Sequence, residues 1–127
     1  MAGEQGHRRH GLGTLNALLV FVGGGTGAVL RWAIGRWVLA PWGTMLVNIL
    51  GCFAMGVVAG LLAGRDADRW RLLVATGLLG GFTTFSAFAI DSVTLWRGGW
   101  GGTALAYVAA SVAGSLLAAV AGIALTR

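Results

Sequence analysis

Carboxylates are scarce in this 127-residue chain: Glu4, Asp66, Asp68 and Asp91 are the full set. Lysine is missing altogether, so all nine basic residues are arginine, and charged residues make up only 10% of the sequence. A soluble domain of this length needs far more polar surface. The chain has no His/Cys/Asp/Glu cluster at metal-ligand spacing and no Ser/His/Asp set, so covalent catalysis has no equipment and the sequence does not read as an enzyme. Cys52 is the single cysteine, which excludes an intramolecular disulfide. Inside an apolar stretch it reads as a small packing residue and says nothing of compartment. The arginines are scattered over the tail, the loops and the ends of apolar stretches, without the aromatic-interleaved stripe of a nucleic-acid binder. Loop arginines suit anionic headgroups, which makes membrane lipid the expected partner of this charge and leaves no nucleic acid among the partners.

What the chain has in quantity is apolar length. Hydrophobic residues make up 57% of it, and four stretches, about 14–38, 42–63, 72–96 and 101–125, each reach the ~20 residues that cross ~30 Å of hydrocarbon as helix. Residues 1–13 are left as a cytoplasmic or flexible basic tail, and residues 14–127 as a four-helix transmembrane domain. All six tryptophans, Trp32, Trp37, Trp42, Trp70, Trp96 and Trp100, stand near the ends of these stretches, where amphipathic rings prefer the headgroup layer. The expectation is an all-α, multi-pass integral protein of the cell inner membrane or plasma membrane. The basic run His7-Arg8-Arg9-His10 before an apolar stretch has the start of a signal peptide but no small-residue cleavage site, so it leads into a retained first helix. Four spans put Arg8, Arg9, Arg65, Arg69, Arg71 and Arg127 on one side against Arg31, Arg36 and Arg97 on the other, which favours termini inside. Setting the tail aside leaves four against three, a bias weak enough for insertion both ways.

The third stretch is interrupted at its centre by Gly80-Gly81-Phe82-Thr83-Thr84-Phe85-Ser86-Ala87-Phe88. Irregular backbone at bilayer depth survives only where protein or a water-filled path satisfies its free N–H and C=O groups, so this break is a candidate ion or substrate site. Phe85 and Phe88 are three apart and share a face; they serve either as apolar packing or as inward ring edges, whose positive end meets an anion without trapping it. Thr44 and Asn48 share a face of the second stretch, and Tyr107, Ser111 and Ser115 repeat the i, i+4 spacing in the fourth. Such polar stripes arise when Ser and Thr bond their own helix and Asn joins helices, or when hydroxyl and amide donors line a path. Asp91 is the sole acid within a span.

Gly23-Gly24-Gly25-Thr26-Gly27-Ala28 matches a dinucleotide-binding pattern in form, but that fingerprint needs a strand before it and a soluble βαβ unit around it. Gly23 and Gly27, and Gly56, Gly60 and Gly64, instead make small-xxx-small faces on which helix backbones approach closely. Arg31 follows the first of these near a span end, where it either snorkels to the interface or has a structural or anion-attracting role.

Taken together, Gly23-Gly24-x-x-Gly27-Ala28-x-x-Arg31, Gly43-Thr44-x-x-Val47-Asn48-x-x-Gly51 and the run Gly80–Phe88 resemble, in order and separation, the three signatures of the Fluc/CrcB family of fluoride channels. The resemblance covers nearly the whole chain after the tail. It implies four transmembrane helices with a break in the third, assembled as an antiparallel, dual-topology homodimer in which the partner is a second copy of the chain. It implies passive export of cytoplasmic fluoride through two pores per dimer, with a structural sodium ion as cofactor at the dimer interface. Asn48, Phe85 and Phe88 become fluoride-pore residues, joined by Thr44, Ser86, Tyr107, Ser111 and Ser115. The backbone carbonyls of Gly80 and Thr83 become the sodium ligands. The chain departs from the usual Phe-Ser-Thr-Phe at Ala87, which removes a hydroxyl beside the phenylalanines.

Two other functions compete. A proton-coupled exporter of the small multidrug type is also a short four-helix protein, but it wants a membrane-embedded carboxylate in the first span, and that span has none. A non-transporting assembly subunit accounts for the glycine faces but not for the Thr-Thr-Phe break.

Overall fold

The computed structural model describes residues 2–127, with side chains from residue 13 onward. Helix α1 spans Ala2–Gly35 and α2 spans Trp42–Leu61. A third helical path then runs through α3 (Asp68–Trp70), a π-helical segment (Arg71–Leu79), α4 (Gly80–Phe82) and α5 (Phe85–Arg97), and α6 (Gly101–Ala124) closes the chain. The described residues contain no strand. Four segments are long and apolar enough to cross a membrane: Gly13–Gly35, Trp42–Leu61, Asp68–Arg97 and Gly101–Ala124. They differ from the sequence expectation by a few residues at their ends, where helix limits are least defined by pattern. The backbone of α1 is also helical through the segment read as a basic tail.

In hydrocarbon a segment must close its backbone hydrogen bonds on itself, which is why apolar stretches of this length become helices. With no hydrophobic drive between helices in lipid, small residues decide which faces meet. The first span packs along the first half of the third, and the second along the fourth, while α1 barely touches α2. Successive spans alternate in direction, so both packed pairs run parallel. In the first pair the glycines of α1 lie against backbone: a Cβ at Gly23 would fall 2.8 Å from the Leu78 nitrogen, and one at Gly27 would fall 2.7 Å from the Phe82 nitrogen. Gly81 reciprocates, its absent Cβ 2.9 Å from the Gly24 Cα. In the second pair a Cβ at Gly122 would lie 2.8 Å from the Val57 nitrogen, and Gly56 backs onto Ala119 and Ile123. Gly60 faces the Thr126 side chain. Gly64 does not share this role: with φ of +69° and nothing within 4 Å, it supplies the left-handed turn after α2 rather than a packing face.

The π-helical segment carries wide turns, its end marked by the Gly80 N–H donating to the Ala75 carbonyl five residues back. Arg71, at its start, clasps the preceding loop. One guanidinium nitrogen donates to the Leu62 carbonyl at 2.8 Å and the Arg65 carbonyl at 3.2 Å, and another meets the Asp68 carboxylate at 3.3 Å. The Leu62 carbonyl, which also accepts from the Arg65 N–H at 3.3 Å, and the Arg65 carbonyl are thereby tied to the third span. Trp32, Trp37, Trp42, Trp96 and Trp100 gather at the opposite end of the bundle, all exposed, while Trp70 stands exposed at the Arg71 end.

Candidate functional site

The helical path of the third span stops at Phe82 and resumes at Phe85. Between them Thr83 (φ −81°, ψ 158°) and Thr84 (φ −152°, ψ 115°) are extended. Two extended residues leave backbone groups to be satisfied from elsewhere, and Asn48 of α2 does so with both ends of its amide. Its Nδ2 donates to the Thr84 carbonyl at 3.0 Å, and its Oδ1 accepts from the Thr84 N–H at 2.8 Å. The Thr84 hydroxyl accepts from the Ala87 N–H at 3.2 Å, capping α5, and lies 3.2 Å from the Ser86 hydroxyl. In an unbroken α-helix the N–H groups of Thr84 and Ala87 would close on the carbonyls of Gly80 and Thr83. Both donors are diverted to side chains, so these two carbonyls lose their regular i+4 partners. The Thr83 hydroxyl turns back to the Leu79 carbonyl at 3.0 Å.

A cavity of about 290 Å³ opens beside this interruption, lined by Asn48, Cys52, Thr83, Thr84, Phe85, Phe88, Ser111, Val112, Ser115 and Leu116. Ser111 is 3% exposed, and its buried hydroxyl has no hydrogen-bond partner among the described residues. Since buried polar groups are nearly always paired, this hydroxyl is available to a ligand. Asn48 spends one amide N–H on Thr84 and keeps the other. Phe85 and Phe88 stack at a tilt, centroids 5.4 Å apart, and Phe88 lies 5.6 Å from Tyr107. Tyr107 is fully buried, packs edge-on against Trp42 at 6.3 Å, and donates from its hydroxyl to the Asp91 carboxylate at 3.4 Å. Asp91, the only acid in the middle of a span, is thereby partnered.

A second cavity of about 200 Å³ lies on the other side of Thr84, lined by Arg31, Gly35, Val38, Ala40, Gly43, Thr44, Val47, Thr84 and Ala87. The Nε of Arg31 is buried there without a hydrogen-bond partner among the described residues. An unpaired guanidinium N–H in an otherwise weakly polar cavity attracts negative charge.

Of the residues singled out in the sequence, Asn48, Thr83, Phe85, Phe88, Ser111 and Ser115 meet at the first cavity, while Thr44 and Arg31 meet at the second. Tyr107 lines neither cavity and packs behind Phe88. Ser86 lines neither cavity; it is exposed and faces the Thr84 hydroxyl. Gly80 is exposed on the single chain, one turn from the interruption. Sequence reasoning passed over Cys52 and Ala87 as wall residues. Cys52 carried a signal, since it continues the i, i+4 spacing of Thr44 and Asn48.

The family model described as CrcB-like protein, Camphor Resistance (CrcB), matches residues 18–123 of the chain. The chain belongs to the CrcB-like family. Among its CrcB-like relatives are proteins curated as fluoride-specific ion channel FluC. That of Rhizobium johnstonii (strain DSM 114642 / LMG 32736 / 3841) is 47% identical over 121 residues, covering 89% of this chain and 97% of the relative. That of Mesorhizobium japonicum (strain LMG 29417 / CECT 9101 / MAFF 303099) is 48% identical over 119 residues, covering 88% and 96%. The Paracoccus denitrificans (strain Pd 1222) protein is 47% identical over 117 residues, covering 87% and 93%. The CrcB-like match takes in every residue that lines the two cavities.

Proposed function

We propose that this chain is a fluoride-selective channel that lets cytoplasmic fluoride leave passively across the membrane. The observation that carries the reading is the cavity at the Thr83–Thr84 interruption, with two phenylalanines, a free amide N–H and an unpaired buried hydroxyl, in a chain whose relatives carry the name fluoride-specific ion channel. Fluoride is small and strongly hydrated, so donors must replace its lost water. The spare N–H of Asn48 and the hydroxyls of Ser111 and Ser115 do this, and the ring edges of Phe85 and Phe88 add a weak positive contact that releases the ion again. Arg31 draws the anion toward the Thr44 side, and Thr84, shared by both cavities, stands between that side and the phenylalanines.

The working unit in this reading is an antiparallel homodimer with two pores. Phe85 is 79% exposed on the single chain, so a second copy completes the wall on that side. The exposed Gly80 and the diverted helical donors leave the Gly80 and Thr83 carbonyls open as hard oxygen ligands. Paired with those of the partner, they fit a sodium ion, which supplies fixed positive charge near the anion path. The near balance of loop arginines suits insertion in both orientations, and the loop arginines themselves meet lipid headgroups.

Proteoliposomes carrying the purified protein, followed with a fluoride electrode, test the reading. The expected result is rapid fluoride release without an imposed proton gradient and with chloride retained. Equal chloride release overturns the selectivity, and release only under a proton gradient points to an exchanger. Thiol labelling of a cysteine placed in the 62–67 loop of a Cys52-free variant tests topology: both sides of the membrane should label, and labelling from one side alone overturns the antiparallel dimer.

A further inference from the structure

We infer that Cys52 forms part of the wall of the anion path and that its thiol is a modification site through which small thiol-specific reagents close that path. The inference rests on the channel reading above. Thr44, Asn48 and Cys52 are successive i, i+4 positions and form one polar line along α2. On α6, Tyr107, Ser111 and Ser115 form a second line with the same spacing. The two helices lie side by side in one direction: a Cβ at Gly114 would meet the Ile49 Cδ1 at 2.9 Å, and one at Gly122 the Val57 nitrogen at 2.8 Å. That register brings Cys52, one turn past Asn48, beside Leu116 and Leu117, and Cys52 and Leu116 both line the 290 Å³ cavity.

The hydroxyl of Ser111, in a residue 3% exposed that lines the same cavity, has no hydrogen-bond partner among the described residues, which leaves a donor at this wall for a polar ligand. Cys52 is a free thiol and only partly buried, so a reagent within the cavity reaches it. Methyl methanethiosulfonate is small and neutral enough to enter. The Cys52 thiolate, its proton given up to water, attacks the sulfenyl sulfur; an S–S bond forms, the S–SO2 bond breaks, and methanesulfinate leaves. The product is a methyl disulfide projecting between Asn48, Ser115 and Phe88, where it adds apolar bulk and removes the S–H donor.

The experiment is fluoride release from proteoliposomes before and after methyl methanethiosulfonate, with intact mass of the recovered protein. Wild-type protein should gain one methylthio group and lose most of its release rate, and dithiothreitol should restore both. Cys52→Ser should keep its own untreated rate after the same exposure. A Cys52→Ser/Leu50→Cys variant, which places the thiol on an outward-facing position of α2, should gain the adduct without losing its rate. Complete labelling of Cys52 with release unchanged overturns the proposal, as does a thiol that reacts only after unfolding in dodecyl sulfate. Equal loss in the Leu50→Cys variant also overturns it, because bulk anywhere on α2 would then suffice. Vesicles that release no fluoride before treatment overturn the channel reading itself, a result distinct from normal release that the reagent leaves untouched.

Discussion

The third span is two different objects joined at Thr83. Its first half is pressed against α1 so closely that glycine faces backbone from both sides, at Gly23, Gly27, Gly77 and Gly81. Its second half meets α6 through Phe88 and Asp91 against Tyr107 and leaves beside α2 a cavity in which the Ser111 hydroxyl has no hydrogen-bond partner among the described residues. Close glycine contact fixes a helix without any hydrogen bond between helices, because dispersion and close approach suffice in lipid. A cavity needs the opposite: groups left unpaired by the protein, held open by a neighbour that is itself immobile. The rigid seam fixes where Thr83 and Thr84 begin, and Asn48 then fixes their direction.

The largest effect is expected at Asn48. Asn48→Asp keeps an acceptor for the Thr84 N–H but loses the donor to the Thr84 carbonyl and sets a carboxylate against that oxygen and against an incoming anion. Fluoride release should fall by about two orders of magnitude, the rate equivalent of about 2.7 kcal/mol. Near wild-type release from a folded protein would remove Asn48 from the path.

The seam gives the next effect. Gly27→Ala drives a methyl into the Leu78 carbonyl and the Phe82 nitrogen, an overpacking that should cost about 1–3 kcal/mol in a detergent melting experiment. Gly25, on the same helix with nothing within 4 Å of its absent Cβ, is the control: Gly25→Ala should stay within about 0.5 kcal/mol. Similar losses at both would mean that the seam is not what holds the first half.

On the cavity side, Phe85→Ile and Phe88→Ile keep apolar bulk but remove the ring edge, so release should drop several-fold while melting is nearly unchanged. If the rings are only filler, release should instead follow stability. The smallest effect is expected at the cap. Thr84→Val keeps the shape but removes the acceptor for the Ala87 N–H, costing about 1 kcal/mol, and Thr84→Ser should recover it.

The four spans were legible because bilayer thickness imposes a length that apolar runs either reach or do not, and the tryptophans mark their ends. The glycine faces were legible as faces but not as pairs: spacing says which side of α1 is smooth, not that Leu78 and Phe82 lie against it. Gly64 matched the spacing and turned out to belong to a turn, since a period of four does not reveal a positive φ. The π-helical turns of Arg71–Leu79 had no sequence signal, because no residue type specifies an extra residue per turn. Asn48 stood out as an amide at depth, yet its partner Thr84 is 36 positions away, and only folding brings them within 3.0 Å. Ser86 joined the pore set through the resemblance; neighbours in a helix point about 100° apart, and Ser86 is not among the residues lining either cavity although Phe85 is.

The pairing of alternate spans has a consequence for how the chain is made. A ribosome hands the membrane span one and then span two, and these scarcely touch. Each must wait, solvated by lipid, until the segment two places later emerges. The nascent half-protein has neither of the two tight pairs, and assembly begins with the third span and is completed by the last. Cutting the chain in the 62–67 loop therefore yields two fragments, neither of which can form a glycine-lined pair, and they should accumulate only when both are expressed together.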